Sequence, residues 1–278
     1  WGATATLIPL GAPIGSVPGG LAGENPAKTT VRTYPGASGL DTTFTYGVAI
    51  PSWAKQPYEL KNRHKTPIIR PTGLTTEVGT APDDNYWTFS NNPGTNTDKA
   101  FSIGWIWKPP AAIANQVILG RYVDGTAREH DVQSDGSTGK VEVYLFDVSA
   151  GVSCNRIQDT AFSRNRFHTF AITYDGGGGA TAANGIVIYM DGIVVASTAT
   201  NNANYVAMEN FAMATQLGHA TPAAPILRWN GEYAGGAFGP IVAPGVAITA
   251  AQVALDNQLW VQYGLKNVSI DYRRMGRR

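Results

Sequence analysis

Residues 127–135 read AREHDVQSD, and within them Glu129, Asp131 and Gln133 recur at every second position. Side chains alternate across a strand, so in extended backbone these three share a face. Glycoside hydrolysis requires two carboxyl groups flanking the scissile bond, one as general acid and the other as nucleophile or base. The third position of this row is an amide, which cannot donate a proton to a leaving group. The row is therefore read as a solvent-facing polar strand, and its functional reading is ligand binding through Glu129, Asp131 and Gln133 without catalysis.

The other candidates are sparser. His64, His130, His168 and His219 form no spaced metal motif with one another. No G-x-S-x-G elbow marks a nucleophilic serine, and His168 in RFHTF is expected to be a structural strand residue. Cys154 is the single cysteine, so no intrachain disulfide forms, and it is read as a small strand or loop residue. Trp229 and Tyr233 in RWNGEY could stack on a sugar, or pack in a core or loop.

A run of four glycines follows Asp175 in YDGGGGATAANG. A phosphate-binding loop needs a helix start after the glycines and usually a Lys followed by Ser or Thr. Here no Lys is present and another strand pattern follows, so the run is read as a flexible link between two antiparallel strands. Further on, IVIYM and IVVAS flank Asp191-Gly192, the signal of a two-residue hairpin with positive φ at both central residues. Asp175 and Asp191 are accordingly turn residues.

The elements that carry these residues are strands. FSIGWIWK (101–108) places Phe101, Ile103, Trp105 and Trp107 on one face. VEVYLFDV (141–148), FHTFAITY (167–174), GIVIYM (185–190) and IVVAST (193–198) follow, separated by turn residues. Many short strands with regular turn signals predict a sandwich or barrel. One helix is predicted at 250–262: Thr249 and Gln252 fit a capping box, Leu255, Leu259 and Tyr263 repeat, and Gly264 ends it.

Bulk properties narrow the partners. The formal net charge of the 278 residues is +1, which gives no global bias toward nucleic acid. Charged residues are only 15 %, against an average of about 25 %. No 18-residue apolar run predicts membrane insertion. Residues 1–23 carry no charge, and glycine and proline recur through them. Such an arm is read as extended and ordered on a surface, preferably that of a neighbouring subunit, with Trp1, Leu7, Ile8 and Leu10 as contacts. Residues 24–80 read as irregular, with strand candidates at 42–50 and 67–70 and a basic loop of Lys55, Lys61, Arg63, Lys65 and Arg70 against Glu59. The tail 265–278 is basic, and Arg273, Arg274, Arg277 and Arg278 are candidate assembly contacts.

Taken in order, FSIGWIWKP, ILGRYVDG, FHTFAITYDG, GIVIYMDGIVVA, QLG and GGAFGPIVAPGVAITAAQV resemble the laminin-G-like branch of the concanavalin A-like lectin/glucanase superfamily. The match spans about two-thirds of the chain, from 86 to 264. It implies an all-β jelly roll of two packed antiparallel sheets over 81–264, with one short C-terminal helix, the arm and irregular segment 1–80, and the tail 265–278. Glucanases of this superfamily carry E-x-D-x-E or E-x-D-x-x-E on one strand, which EHDVQ does not complete. The resemblance admits calcium, but Gly239 stands where the family has an acid near the last strand. It implies glycan or protein-surface binding. Modules of this kind occur in bacteriophage particles and tails. The chain is read as a non-enzymatic virion protein, of capsid-decoration or other structural type, with other assembly subunits, copies of itself and host-surface glycans as partners. It is placed in the virion or outside the cell. The alternative reading is a secreted lectin or a glucanase-like enzyme.

Overall fold

The computed structural model describes residues 6–7, 30–32, 43–46, 52–53, 68–70, 77–80, 98–111, 115–123, 127–211, 215–217, 232–234 and 241–259. Six short strands lie in the N-terminal part: β1 (Thr6–Leu7), β2 (Thr30–Arg32), β3 (Thr43–Tyr46), β4 (Ser52–Trp53), β5 (Ile68–Arg70) and β6 (Glu77–Thr80). The long strands follow as β7 (Phe101–Lys108), β8 (Gln116–Val123), β9 (Ala127–Asp135), β10 (Lys140–Asp147), β11 (Val152–Gln158), β12 (His168–Tyr174) and β13 (Ile186–Met190). Shorter ones complete the set: β14 (Ile193–Val194), β15 (Ser197–Thr200), β16 (Thr215–Leu217), β17 (Glu232–Ala234) and β18 (Ile241–Pro244), before the helix α1 (Ala250–Leu259).

These strands form two antiparallel sheets, as the alternating patterns predict. The first runs β14-β13-β12-β7-β17-β5-β4, with β18 also on β7 and β1 on β18. The second runs β15-β11-β10-β9-β8-β16-β6-β3-β2. The fold is an all-β jelly-roll sandwich, with one short α-helix among the described residues. The strand candidates at 42–50 and 67–70 are β3 and β5, and the short strands β2, β4 and β6 join them from segments expected to be irregular, so that both sheets gain strands. Leu7 of the N-terminal arm is in β1, opposite Ile241 of the same chain. Trp1, Ile8, Leu10, Trp229, Gly239 and the arginines of the tail lie outside the described residues.

The core lies between the sheets and is aromatic. Phe101, Ile103, Trp105 and Trp107 of β7 face it together, as their alternation predicts. Trp105 stacks on Phe170 of β12, with centroids 5.2 Å apart and planes within 11°. Val132, Val141, Val143, Leu145 and Cys154 supply the opposing side. Burial pushes the Cys154 thiol up to about 12, so it carries negligible thiolate and packs as a small apolar group. The back of β7 is covered too: Ser102 Oγ donates to Val246 C=O at 2.7 Å and accepts from Ile248 N–H at 2.9 Å.

Helix α1 begins where its cap predicts, with Gln252 N–H donating to Thr249 Oγ1 at 3.2 Å. Its packing face differs from the expected leucine repeat. Val253 is buried with Ile248, Ala171 and Tyr189, while Leu255 is 48 % exposed. The segment IVVAST, predicted as one strand, divides between the sheets. Ile193–Val194 pairs with β13, and Ser197–Thr200 pairs with β11 in the other sheet.

The glycine run has a defined path. Gly176, Gly178 and Gly179 all have positive φ, and residues 179–185 form a 3-10 turn. A side chain at Gly176 would collide with the backbone of Ala100, and one at Gly185 with the Asp175 carboxylate. Gly176, Gly178 and Gly179 are therefore favoured by positive φ, and Gly176 and Gly185 by close approach. Asp191 (φ 54) and Gly192 (φ 80) form the predicted hairpin turn.

Candidate functional site

Strand β9 and its neighbours position the predicted row. Asp131 lies opposite Gly120 of β8 and Tyr144 of β10, and Gln133 lies opposite Glu142. A side chain at Gly120 would come within 3.0 Å of Asp131 Cβ, so the glycine makes room for the aspartate. Glu129 does not share their face as expected. The register runs Arg121 to His130 and then Tyr122 to Arg128, leaving Glu129 as the extra residue of a β-bulge. A bulge breaks the two-residue alternation.

Glu129 is instead committed to structure. Its carboxylate pairs with the Arg121 guanidinium at 2.8 Å, with both side chains fully buried. The same two groups grip one residue: Phe211 N–H donates to Glu129 Oε1 at 2.7 Å, and Arg121 Nη2 donates to Phe211 C=O at 2.6 Å. Arg121 sits opposite His130, whose ring is 6.0 Å from core Phe101. Burial, and secondarily the Arg121 charge, holds the His130 imidazole well below its usual range.

The rest of the outer face is a mixed carboxyl and aromatic surface. Gln133 Nε2 and the Tyr144 hydroxyl both donate to Glu142 Oε2, at 3.1 and 3.0 Å. Tyr144 stacks on Phe146 with centroids 5.8 Å apart, and Phe146 meets Tyr122 edge-on at 5.7 Å. The Arg128 guanidinium lies over the Tyr122 and Phe146 rings at 5.1 and 5.8 Å. All four of these side chains are half-buried. Asp131 is 2 % exposed. Burial, with the neighbouring Glu142 carboxylate adding to it, pushes its carboxyl up to about 8. Burial raises Glu142 as well. The sequence alone does not single out Glu142, Tyr122, Tyr144 or Phe146; the period-two spacing of Glu142, Tyr144 and Phe146 is the signal that could have done so.

Tyr233 lies in β17 opposite Trp107 and Ile69. Among the described residues, no group of three or more His, Cys, Asp or Glu side chains is placed to hold a metal ion. No helix among them is long and apolar enough to cross a membrane.

A second cluster joins the loop before β12 to the β13–β14 turn. His168 is buried, with its Nδ1 2.8 Å from Asp191 Oδ2. Its Nε2 lies 2.8 Å from Ser163 Oγ and 3.1 Å from the Ser163 carbonyl oxygen. The other oxygen of Asp191 accepts from Thr169 N–H at 3.1 Å. Asn257 Nδ2 of α1 donates to the Asp191 carbonyl at 2.9 Å. His168 opens strand β12, as the pattern predicts, and the serine beside it is a partner that spacing alone does not reveal.

No known protein family matches the chain, and no curated protein does. Solved structures do. The binding domain of botulinum neurotoxin DC in complex with sialylT superposes with a TM-score of 0.50 at 9 % identity, over 80 % of this chain and 48 % of that one. A structure of botulinum neurotoxin type C, whose cell entry is dependent upon interaction with two ganglioside molecules, gives 0.50 at 10 % identity, over 84 % and 49 %. The chain spans about half the length of these structures. At such identity the likeness is one of fold, and it matches the two-sheet sandwich described above.

Proposed function

We propose that this chain is a structural and glycan-binding jelly-roll module of an extracellular multi-subunit assembly, specifically a virion protein of capsid-decoration or related type. The observation that carries the binding part is the outer face of the second sheet. There Tyr122, Tyr144 and Phe146 present half-buried rings beside the amide of Gln133 and the carboxyl of Glu142. Sugars are held by aromatic faces with a few polar groups that fix orientation. Asp131 and Gln133 belong to this face. Glu129 supports it from within the core side.

Binding rather than glycan cleavage is favoured at this face. The residue in the third position of the row is an amide, and the first is locked to Arg121. The toxin structures, described by their interaction with sialylT and with gangliosides, are consistent with this reading through fold alone. The virion part rests on the uncharged arm 1–23, the basic tail 265–278 and the motif order.

A glycan array probed with the purified chain, alongside Tyr144→Ala and Glu142→Gln, tests the binding part. Signal in wild type and weaker signal in both variants is expected; no signal on any glycan sinks it. Native mass spectrometry tests the assembly part, with defined oligomers expected and a monomer at micromolar concentration counting against it.

A further inference from the structure

The geometry points to a nucleophilic serine site, separate from the glycan-binding face, in which Ser163, His168 and Asp191 together hydrolyse O-acyl esters. The three groups stand in the order that acyl transfer requires: a hydroxyl at a base, and the base at an orienting carboxylate. Both contacts are 2.8 Å. In the tautomer that donates Nδ1–H to Asp191, the Nε2 lone pair accepts from Ser163 Oγ; the 3.1 Å contact to the Ser163 carbonyl belongs to the tautomer protonated at Nε2. The shorter of the two Nε2 contacts within Ser163 is to the hydroxyl.

The scaffold holds this arrangement from both sides. Around the serine, Phe162 N–H donates to Gly139 C=O and Asn165 N–H to Pro109 C=O, each at 2.9 Å. Arg164 Nη1 donates to Ala111 C=O at 2.8 Å. Asn165 has a φ of 61, a left-handed conformation that non-glycine residues adopt at a cost. On the far side, the Asp191 carboxylate has one oxygen on the Thr169 peptide and the other on His168. The nucleophile and the orienting acid are therefore fixed before any substrate arrives.

Ser163 is exposed, as are Ala161, Arg164, Asn165 and Arg166, so its hydroxyl is open to an ester that arrives from solvent. Arg166 is 61 % exposed and 3.6 Å from Asp191. It sits beside the orienting carboxylate, while Arg164 is held on the Ala111 carbonyl.

The chemistry closes without a cofactor. Ser163 Oγ adds to the ester carbonyl carbon while its proton passes to His168 Nε2. The tetrahedral adduct expels the alcohol oxygen, which takes that proton, and leaves acyl-Ser163. Water then adds to the acyl carbon, giving a proton to Nε2, and Ser163 departs with it as the carboxylic acid forms.

The same contacts could simply pin a loop to a hairpin, so the test must separate the two roles. Asp191→Asn does so. Asn-Gly is a preferred pair for a turn with two positive φ values, so the hairpin persists while the carboxylate is lost. The full chain is treated with a fluorophosphonate probe and, separately, with p-nitrophenyl acetate. A single adduct on Ser163 is expected by peptide mass spectrometry. Ester hydrolysis falls about 100-fold or more in Ser163→Ala and in Asp191→Asn, with both variants keeping the wild-type circular dichroism. Absence of an adduct on Ser163, or hydrolysis unchanged in Ser163→Ala, overturns the proposal. So does a folded Asp191→Asn chain as reactive as wild type. Should Asp191→Asn fail to fold, the adduct and Ser163→Ala decide the matter.

Discussion

Arg121 Nε lies 2.8 Å from Glu129 Oε2, and neither side chain is reached by solvent. A buried pair of this kind is costly to break, because removal of one member strands the other charge in the interior. Glu129→Ala also strips the acceptor from Phe211 N–H. It should destabilise the fold by about 3–5 kcal/mol. The double variant Arg121→Met/Glu129→Leu should recover a substantial part of that loss. Urea unfolding of the two variants measures both values. A single variant that costs less than the double would contradict the account.

Gly176 and Gly151 both have positive φ, 78 and 67, but differ in their surroundings. Nothing lies within 4 Å of a side chain placed at Gly151, whereas one at Gly176 would strike the Ala100 backbone. Gly151→Ala should therefore cost only the left-handed conformation, about 1–2 kcal/mol. Gly176→Ala should cost clearly more, since the strand start held by Asp98 must move. Asp98 accepts from Tyr174, Tyr205 and the Met208 amide at 2.7–2.8 Å, so that shift would be resisted. Thermal unfolding of the pair gives the comparison, and equal losses would refute the role given to close approach.

On the outer face of the second sheet, Tyr144 and Phe146 stack with planes within 9°. Truncation of one ring removes area and also loosens its neighbour. Tyr144→Ala should weaken glycan binding by about 0.5–1.5 kcal/mol per lost ring contact, or roughly 2- to 10-fold. Val194→Ala, on the edge of the other sheet and 52 % exposed, should leave affinity unchanged. Calorimetric titration with a glycan selected from the array reads both. Equal weakening in the two variants would remove the face from consideration.

The sandwich itself was legible, because alternation in FSIGWIWK and the Asp191-Gly192 pair are local consequences of backbone geometry. So was the helix start, where Thr249 caps Gln252. What escaped the sequence depended on pairing between distant segments. The bulge that removes Glu129 from the Asp131 row is a property of the β8–β9 register. Glu142 joins Gln133 only because β10 pairs with β9 in one particular alignment. Ile193–Val194 and Ser197–Thr200 look continuous in sequence, yet the chain changes sheets between them. Ser163 reaches His168 through a loop path that no periodicity encodes. Scaffold was thus readable from residue type, while the site was set by register and loop course.

Asp131 makes the last prediction, one of sign. Its carboxyl sits at about 8 in the folded chain, against an ordinary value of 3.8, chiefly because burial disfavours the charged form. Between those two values the unfolded chain has released the proton and the folded chain retains it. Stability follows the difference in bound protons between unfolded and folded states, which is negative here, so it falls as pH rises. The contribution is fully present below about pH 4, declines from there to about pH 8, and is constant above. Asp131→Asn removes the group that must ionise. Relative to wild type, the variant should be the more stable at pH 8, by on the order of 1–3 kcal/mol after relaxation around the site. At pH 4 the two should be nearly equal. Glu142 is raised in the same direction by its own burial, so wild type alone would not isolate Asp131, and the difference between the two chains is the quantity to follow. Urea midpoints at pH 4, 6 and 8 provide it. A difference that is flat with pH, or that shrinks toward pH 8, would show that Asp131 is charged in the folded protein.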